Sequence, residues 1–90
     1  MPHLDTLTVS DFEPLRGQLF RIADAFAAEL VEVTELPSES GGRAPFSLVF
    51  EGGPSQPLPQ AIYPVHHERL GAMEIFLVPI APDRYEAVFT

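Results

Sequence analysis

The side chains best suited to chemistry come closest together at His66, His67 and Glu68. On an extended strand, His66 and Glu68 face one way and His67 the other. At most two ligands then converge, whereas a zinc site needs three or four. His3 would add a third only through an accident of folding. No metal site is expected, and His67 reads as a half-buried histidine bonded to backbone. Carboxylates are plentiful at Glu29, Glu32, Glu35, Glu51, Glu68, Glu74 and Glu86. A pair of them can do acid–base work. They recur opposite apolar positions, however, as the wet face of a strand does.

Nucleophile and phosphate motifs are missing. Ser38-Glu39-Ser40-Gly41-Gly42 has no nucleophile-elbow pattern. Gly41-Gly42 and Gly52-Gly53 are too short for a dinucleotide fingerprint and read as turn glycines. The chain has no cysteine and no lysine. That removes thiol nucleophiles, iron–sulfur clusters, Schiff bases and the phosphate-binding loop. The expectation is a protein that is not an enzyme and carries no cofactor.

Charge narrows the partners. The net charge is −8, and the five arginines, at 16, 21, 43, 69 and 84, are scattered. Nucleic acid and anionic lipid both demand a cationic surface, so neither is an expected partner. The N-terminus lacks the basic and apolar regions of a secretory signal. No apolar run reaches the ~20 residues of a membrane span. With no disulfides available, a cytoplasmic location is expected. Lysine and asparagine are both absent, which fits GC-rich codon usage.

Ninety residues make a single domain, 1–90, with 1–8 as a loose lead-in. Its core is modest, since so short a chain buries roughly 60–65% of its unfolded surface. The element that organises it is the C-terminal stretch Met73–Phe89. Two apolar runs flank Ala81-Pro82-Asp83-Arg84, which predicts an antiparallel hairpin. Met73, Ile75 and Leu77 share one face; Glu74, Phe76, Val78 and Ile80 share the other. Pro79 cannot donate to a ladder and belongs at a bulge, an edge or a strand end. With one face of the strand in the core, Phe76, Val78 and Ile80 need a cover. The N-terminal helix is one candidate and a partner subunit the other; a small core favours the helix.

That helix is predicted over 10–16, with Ser10 as cap, Glu13 at capping-box spacing, Phe12 and Leu15 pointing inward and Gly17 as stop. Leu19 to Leu36 is ambiguous. The run ADAFAAELVE has helix propensity, while Phe20 and Ile22, then Val31 and Val33, alternate as strands do, with a turn at Asp24-Ala25. Residues 37–44 form a loop. Phe46, Leu48 and Phe50 mark a strand, and 51–60 a long turn or polyproline connection. The Pro54–Pro59 spacing matches a groove ligand but lacks the usual basic neighbour. Ile62–Arg69 is a further strand, placing Tyr63, Val65 and His67 on one face. These elements predict a mainly β fold: a small six-stranded antiparallel barrel or roll with a short N-terminal helix.

At this point the chain resembles a family of short bacterial proteins known only as a domain of unknown function. The resemblance lies in Asp11-Phe12, Leu15, Gly17 and Phe20; Leu30 to Val33; Pro45 to Phe50; Pro57 to Tyr63 with His67, Leu70 and Gly71; Phe76 to Ile80; and Tyr85 to Phe89. It spans nearly the whole chain and favours two strands in 19–36. Its association with phage-tail-collar-like proteins implies an accessory part of a phage-tail-like or surface assembly, with a protein partner or a second copy. The family has no assigned activity, so it brings no catalytic residues. Two functional expectations follow. One is an interaction domain using the face of Phe76, Val78 and Ile80. The other is a small-molecule binder whose barrel mouth is walled by Tyr63, His67 and Tyr85.

Overall fold

A computed structural model describes residues 7–37, 45–53 and 58–89. Thr8 starts the first element, α1 (Val9–Phe12), which passes into a 3₁₀ turn at Glu13–Leu15. The cap is therefore Thr8 rather than Ser10. Asp11 reaches back to accept bonds from the Thr8 amide at 2.8 Å and the Thr8 hydroxyl at 3.2 Å. Threonine followed three residues later by aspartate closes the box two residues earlier than Ser10 and Glu13 would. Pro14 cannot donate within an α-helix, and it sits in the tighter 3₁₀ turn. Gly17, at φ 91, ends the segment and its amide donates to the Leu30 carbonyl.

Six strands follow: β1 (Leu19–Ile22), β2 (Phe26–Glu35), β3 (Phe46–Gly52), β4 (Ala61–His67), β5 (Gly71–Ala81) and β6 (Arg84–Phe89). They close into an antiparallel barrel in the order β1-β2-β3-β6-β5-β4. The fold is thus mainly β, the six-stranded barrel alternative rather than an open roll. β4 ends at His67, two residues before the expected limit, because residues 68–70 make the turn into β5. The expected loop at 37–44, the lead-in and Pro54–Pro57 fall mostly outside the described residues; of the connection expected at 51–60, Glu51 and Gly52 instead close β3, and 58–60 lie in no strand.

The ambiguous segment is two strands. Phe20 pairs with Ala28 and Ile22 with Phe26. The turn centres on Ala23 and Asp24, at φ 57 and 52, one residue before the expected position. The Ala25 amide closes it on the Ile22 carbonyl. Helix propensity loses here because β2 is paired on both sides, an arrangement local sequence does not report. A bulge at Val31 then changes which residues face inward. Ala28 and Leu30 point into the barrel before it, and Val33, paired with the buried Leu48, points in after it. Were the strand to run on through Val31 with regular alternation and no bulge, Glu32 would be driven into the core.

The interior is closely filled. Phe12 from α1 enters one end, its ring 5.6 Å from Phe89, 5.7 Å from Phe46 and 6.5 Å from Phe20. Leu15, Phe50, Leu77 and Tyr85 are also wholly or almost wholly buried. Helix α1 is therefore an end plug. It does not cover the outer face of β5, as the sequence suggested, because Phe12 and Leu15 are spent on the barrel interior.

Candidate functional site

Three regions carry the candidate side chains. The first is the end of the barrel held by Leu58 and Pro59. Tyr85 is buried against Phe26, with ring centroids 5.9 Å apart. Its hydroxyl accepts the Leu58 amide at 2.8 Å. The Tyr63 hydroxyl donates to the neighbouring Pro59 carbonyl. Both tyrosines thus use their polar tips to hold the 58–59 segment in place, as a buried phenol must find a partner.

His67 lies in a second region. It shares the inward face of β4 with Tyr63, but four residues on, roughly 13 Å along the strand. The expected pocket of Tyr63, His67 and Tyr85 is therefore not gathered into one cavity. His67 instead packs on Phe20, with centroids 4.6 Å apart. Its Nδ1 accepts the Arg69 amide at 3.0 Å. That bond leaves the proton on Nε2, which donates to Gln18 Oε1 at 2.8 Å. Burial holds the pKa of His67 below its usual 6.5; Glu68 pulls the other way, and Arg69 and His66 add to the lowering. An open groove of about 520 Å³ runs beside this ring, lined by Gln18, Leu19, Phe20, Arg21, His66 and Glu68 among others. Nothing in the sequence marks Gln18 as its partner, since the two are 49 residues apart. His66 faces outward opposite Arg21. Among the described residues, no three histidine, aspartate or glutamate side chains are placed to hold a metal ion. Glu29, Glu32, Glu35, Glu51, Glu74 and Glu86 are exposed or half-buried on the strands, and Glu68 is exposed in the turn after β4.

The third region is the outer wall along β5. Phe76 and Ile80 are each 50% exposed, and Val78 is half-buried. Ile62, paired with Phe76 across the strands, is 64% exposed, and Val88 on β6 is 54% exposed. Pro79 sits at a bulge whose extra residue is Ile80, and alternation from Phe76 and Val78 puts Ile80 on the outside. Around this apolar stripe the outward positions carry Glu74, Glu86 and Glu51. Arg84 is tied to Glu51 at 3.0 Å.

A barrel closed by these six strands, with an N-terminal plug, coincides in extent with a known family. The family model of a domain of unknown function, DUF6916, matches residues 7–89. The chain belongs to this family. The match begins at the buried Leu7 and ends at the buried Phe89, so it includes the plug and every strand. No curated protein and no solved structure matches the chain. The DUF6916 description assigns no activity, so the site rests on geometry. No helix among the described residues is long and apolar enough to cross a membrane.

Proposed function

We propose that this DUF6916 domain is a non-enzymatic interaction module that docks a protein partner on the outer wall of β5. One observation carries the reading. Phe76 and Ile62 form an exposed aromatic–aliphatic cross-strand pair, flanked by Ile80 and Val88, in a chain with a modest core to fill. A small domain gains stability by burying such residues, and an exposed apolar cluster marks a contact surface. The polar groups best suited to a reaction are committed to structure: Tyr63, Tyr85 and His67 each hold a neighbouring segment.

The rim favours one kind of partner. Carboxylates Glu74 and Glu86 border the stripe, and the chain has a net charge of −8. A second copy would bring like charge against like charge. The fitting occupant is a protein surface with an apolar centre bordered by lysine or arginine. The phage-tail-collar association carried by the family resemblance supplies the setting: an accessory part of a phage-tail-like or surface assembly in a bacterium. A second reading, a small-molecule binder, draws only on the open groove beside His67, which neither Tyr63 nor Tyr85 lines.

The test is a pull-down from the native host with the wild-type domain and the Phe76→Asp variant, both shown to be folded by circular dichroism. The expected result is a captured partner that Phe76→Asp loses and that rising salt releases. Equal capture by both proteins would overturn the reading. So would a wild-type chain that dimerises through Phe76 in sedimentation.

A further inference from the structure

We propose that His67 is an acid-sensitive latch across the shortest seam of the barrel, and that protonating its ring parts β1 from β4 beside the groove. Five of the six seams are joined by three to seven residue pairs, but β1 and β4 share only Arg21–His66 and Ile22–Val65. One more backbone bond, from the Ala23 amide to the Pro64 carbonyl at 2.7 Å, extends that seam at one end. Pro64 has no amide hydrogen to return. At the other end the strands separate, and the His67–Gln18 side-chain bond takes the place of further pairing.

Both ring nitrogens are occupied. Nε2 carries the hydrogen given to Gln18, and Nδ1 is the acceptor for Arg69. A second proton can go only to Nδ1, where it meets the Arg69 N–H donor head-on. Imidazolium therefore has to break that bond, and the turn leading into β5 loses its tie. The Phe20 ring face, 4.6 Å away, attracts a cation but cannot accept the displaced hydrogen bond.

The charged groups around the ring are few. Glu68 favours the cation, while Arg69 and His66 oppose it. From β1 the charged side chain at the seam is Arg21, on the outer face and paired with Asp24 at 3.5 Å. β5 places Gly71 opposite His67, and β2 contributes Ala27 to the groove; neither carries charge. Burial dominates, so the folded ring binds its proton more weakly than the unfolded chain does. The latch is then fully closed above the unfolded value of 6.5 and loosens as pH falls below it.

The experiment is an NMR titration of the wild-type domain, following the imidazole nitrogens together with amide hydrogen exchange. His67 is expected to be the Nε2–H tautomer and to titrate below the ordinary histidine value of 6.5. The amides of Arg21, Ala23 and Arg69 are expected to open more readily as pH falls, by up to about tenfold per pH unit within the window, after correction for intrinsic rates. Amides of the β2–β3 ladder should not follow. His67→Gln should flatten the seam's response. The latch is overturned if His67 titrates at or above 6.5, or if seam amides respond no more than the β2–β3 amides. A folded His67→Gln protein that keeps the full response overturns it too. The wild-type titration decides alone where the variant does not fold.

Discussion

Replacing Phe12 with alanine should cost this domain about 3–5 kcal/mol, the usual range for removing a buried phenylalanine side chain. Phe12 has no exposed surface and meets three other phenylalanine rings at 5.6, 5.7 and 6.5 Å. Each ring pair is worth about 0.5–1.5 kcal/mol beyond area, so the upper half of that range applies. A 90-residue domain is stable by roughly 5–13 kcal/mol in total. The variant should therefore lose a third or more of its stability, with Tm falling by roughly 15–30 °C. Urea unfolding followed by far-UV circular dichroism measures the loss directly. Phe12→Leu, which keeps most of the volume, should lose much less. Combined with Phe76→Ala, the effect of Phe12→Ala should add to within about 0.5 kcal/mol, because plug and outer wall share no packing. A Phe12→Ala loss under about 1 kcal/mol would refute the plug. Strong coupling to Phe76 would mean that α1 covers the wall after all.

Gly52 has φ 140, and a Cβ there would lie 2.9 Å from the Ala27 carbonyl oxygen. Gly52→Ala should cost about 1–3 kcal/mol in the same unfolding assay. Ala23 holds φ 57 in the β1–β2 turn, which suits glycine better; Ala23→Gly should raise stability by about 0.5–1 kcal/mol and shift the urea midpoint without changing the slope. Tyr85→Phe keeps the ring against Phe26 but strands the Leu58 amide. It should cost about 1–2 kcal/mol, with faster exchange confined to the amides around Leu58.

The parts of the fold legible in the sequence are those written locally. The C-terminal hairpin follows from alternation in Met73–Leu77 and the Pro82-Asp83 turn, and both stand as read. Pro79 falls at a bulge, one of the three places proline chemistry allowed. What is not legible is decided across long separations. The alanine-rich run after Asp24 has helix propensity, and it is strand because β1 pairs with it on one side and β3, some twenty residues on, takes up the other side from Ala28 onward. The cap is Thr8 rather than Ser10 because Asp11, three residues on, accepts from the Thr8 amide and hydroxyl, a bond that Ser10 with Glu13 offers equally well on paper. At the candidate site, polar type alone joins Tyr63, His67 and Tyr85. Their partners, Pro59, Gln18 and Leu58, leave no trace in composition or spacing.

The irregularity at Val31 separates two properties that a strand normally delivers together. Omitting that one residue would leave Ala28, Leu30 and Val33 on the inside and Glu32 outside, since the count between Leu30 and Val33 becomes even. The sorting of oily from wet side chains would survive. The local bend would not, and with it would go some of the curl that brings β1 round to meet β4. A shortened chain of that kind would keep its solubility pattern while losing its circumference, which makes sheet closure and side-chain sorting independently adjustable in this domain.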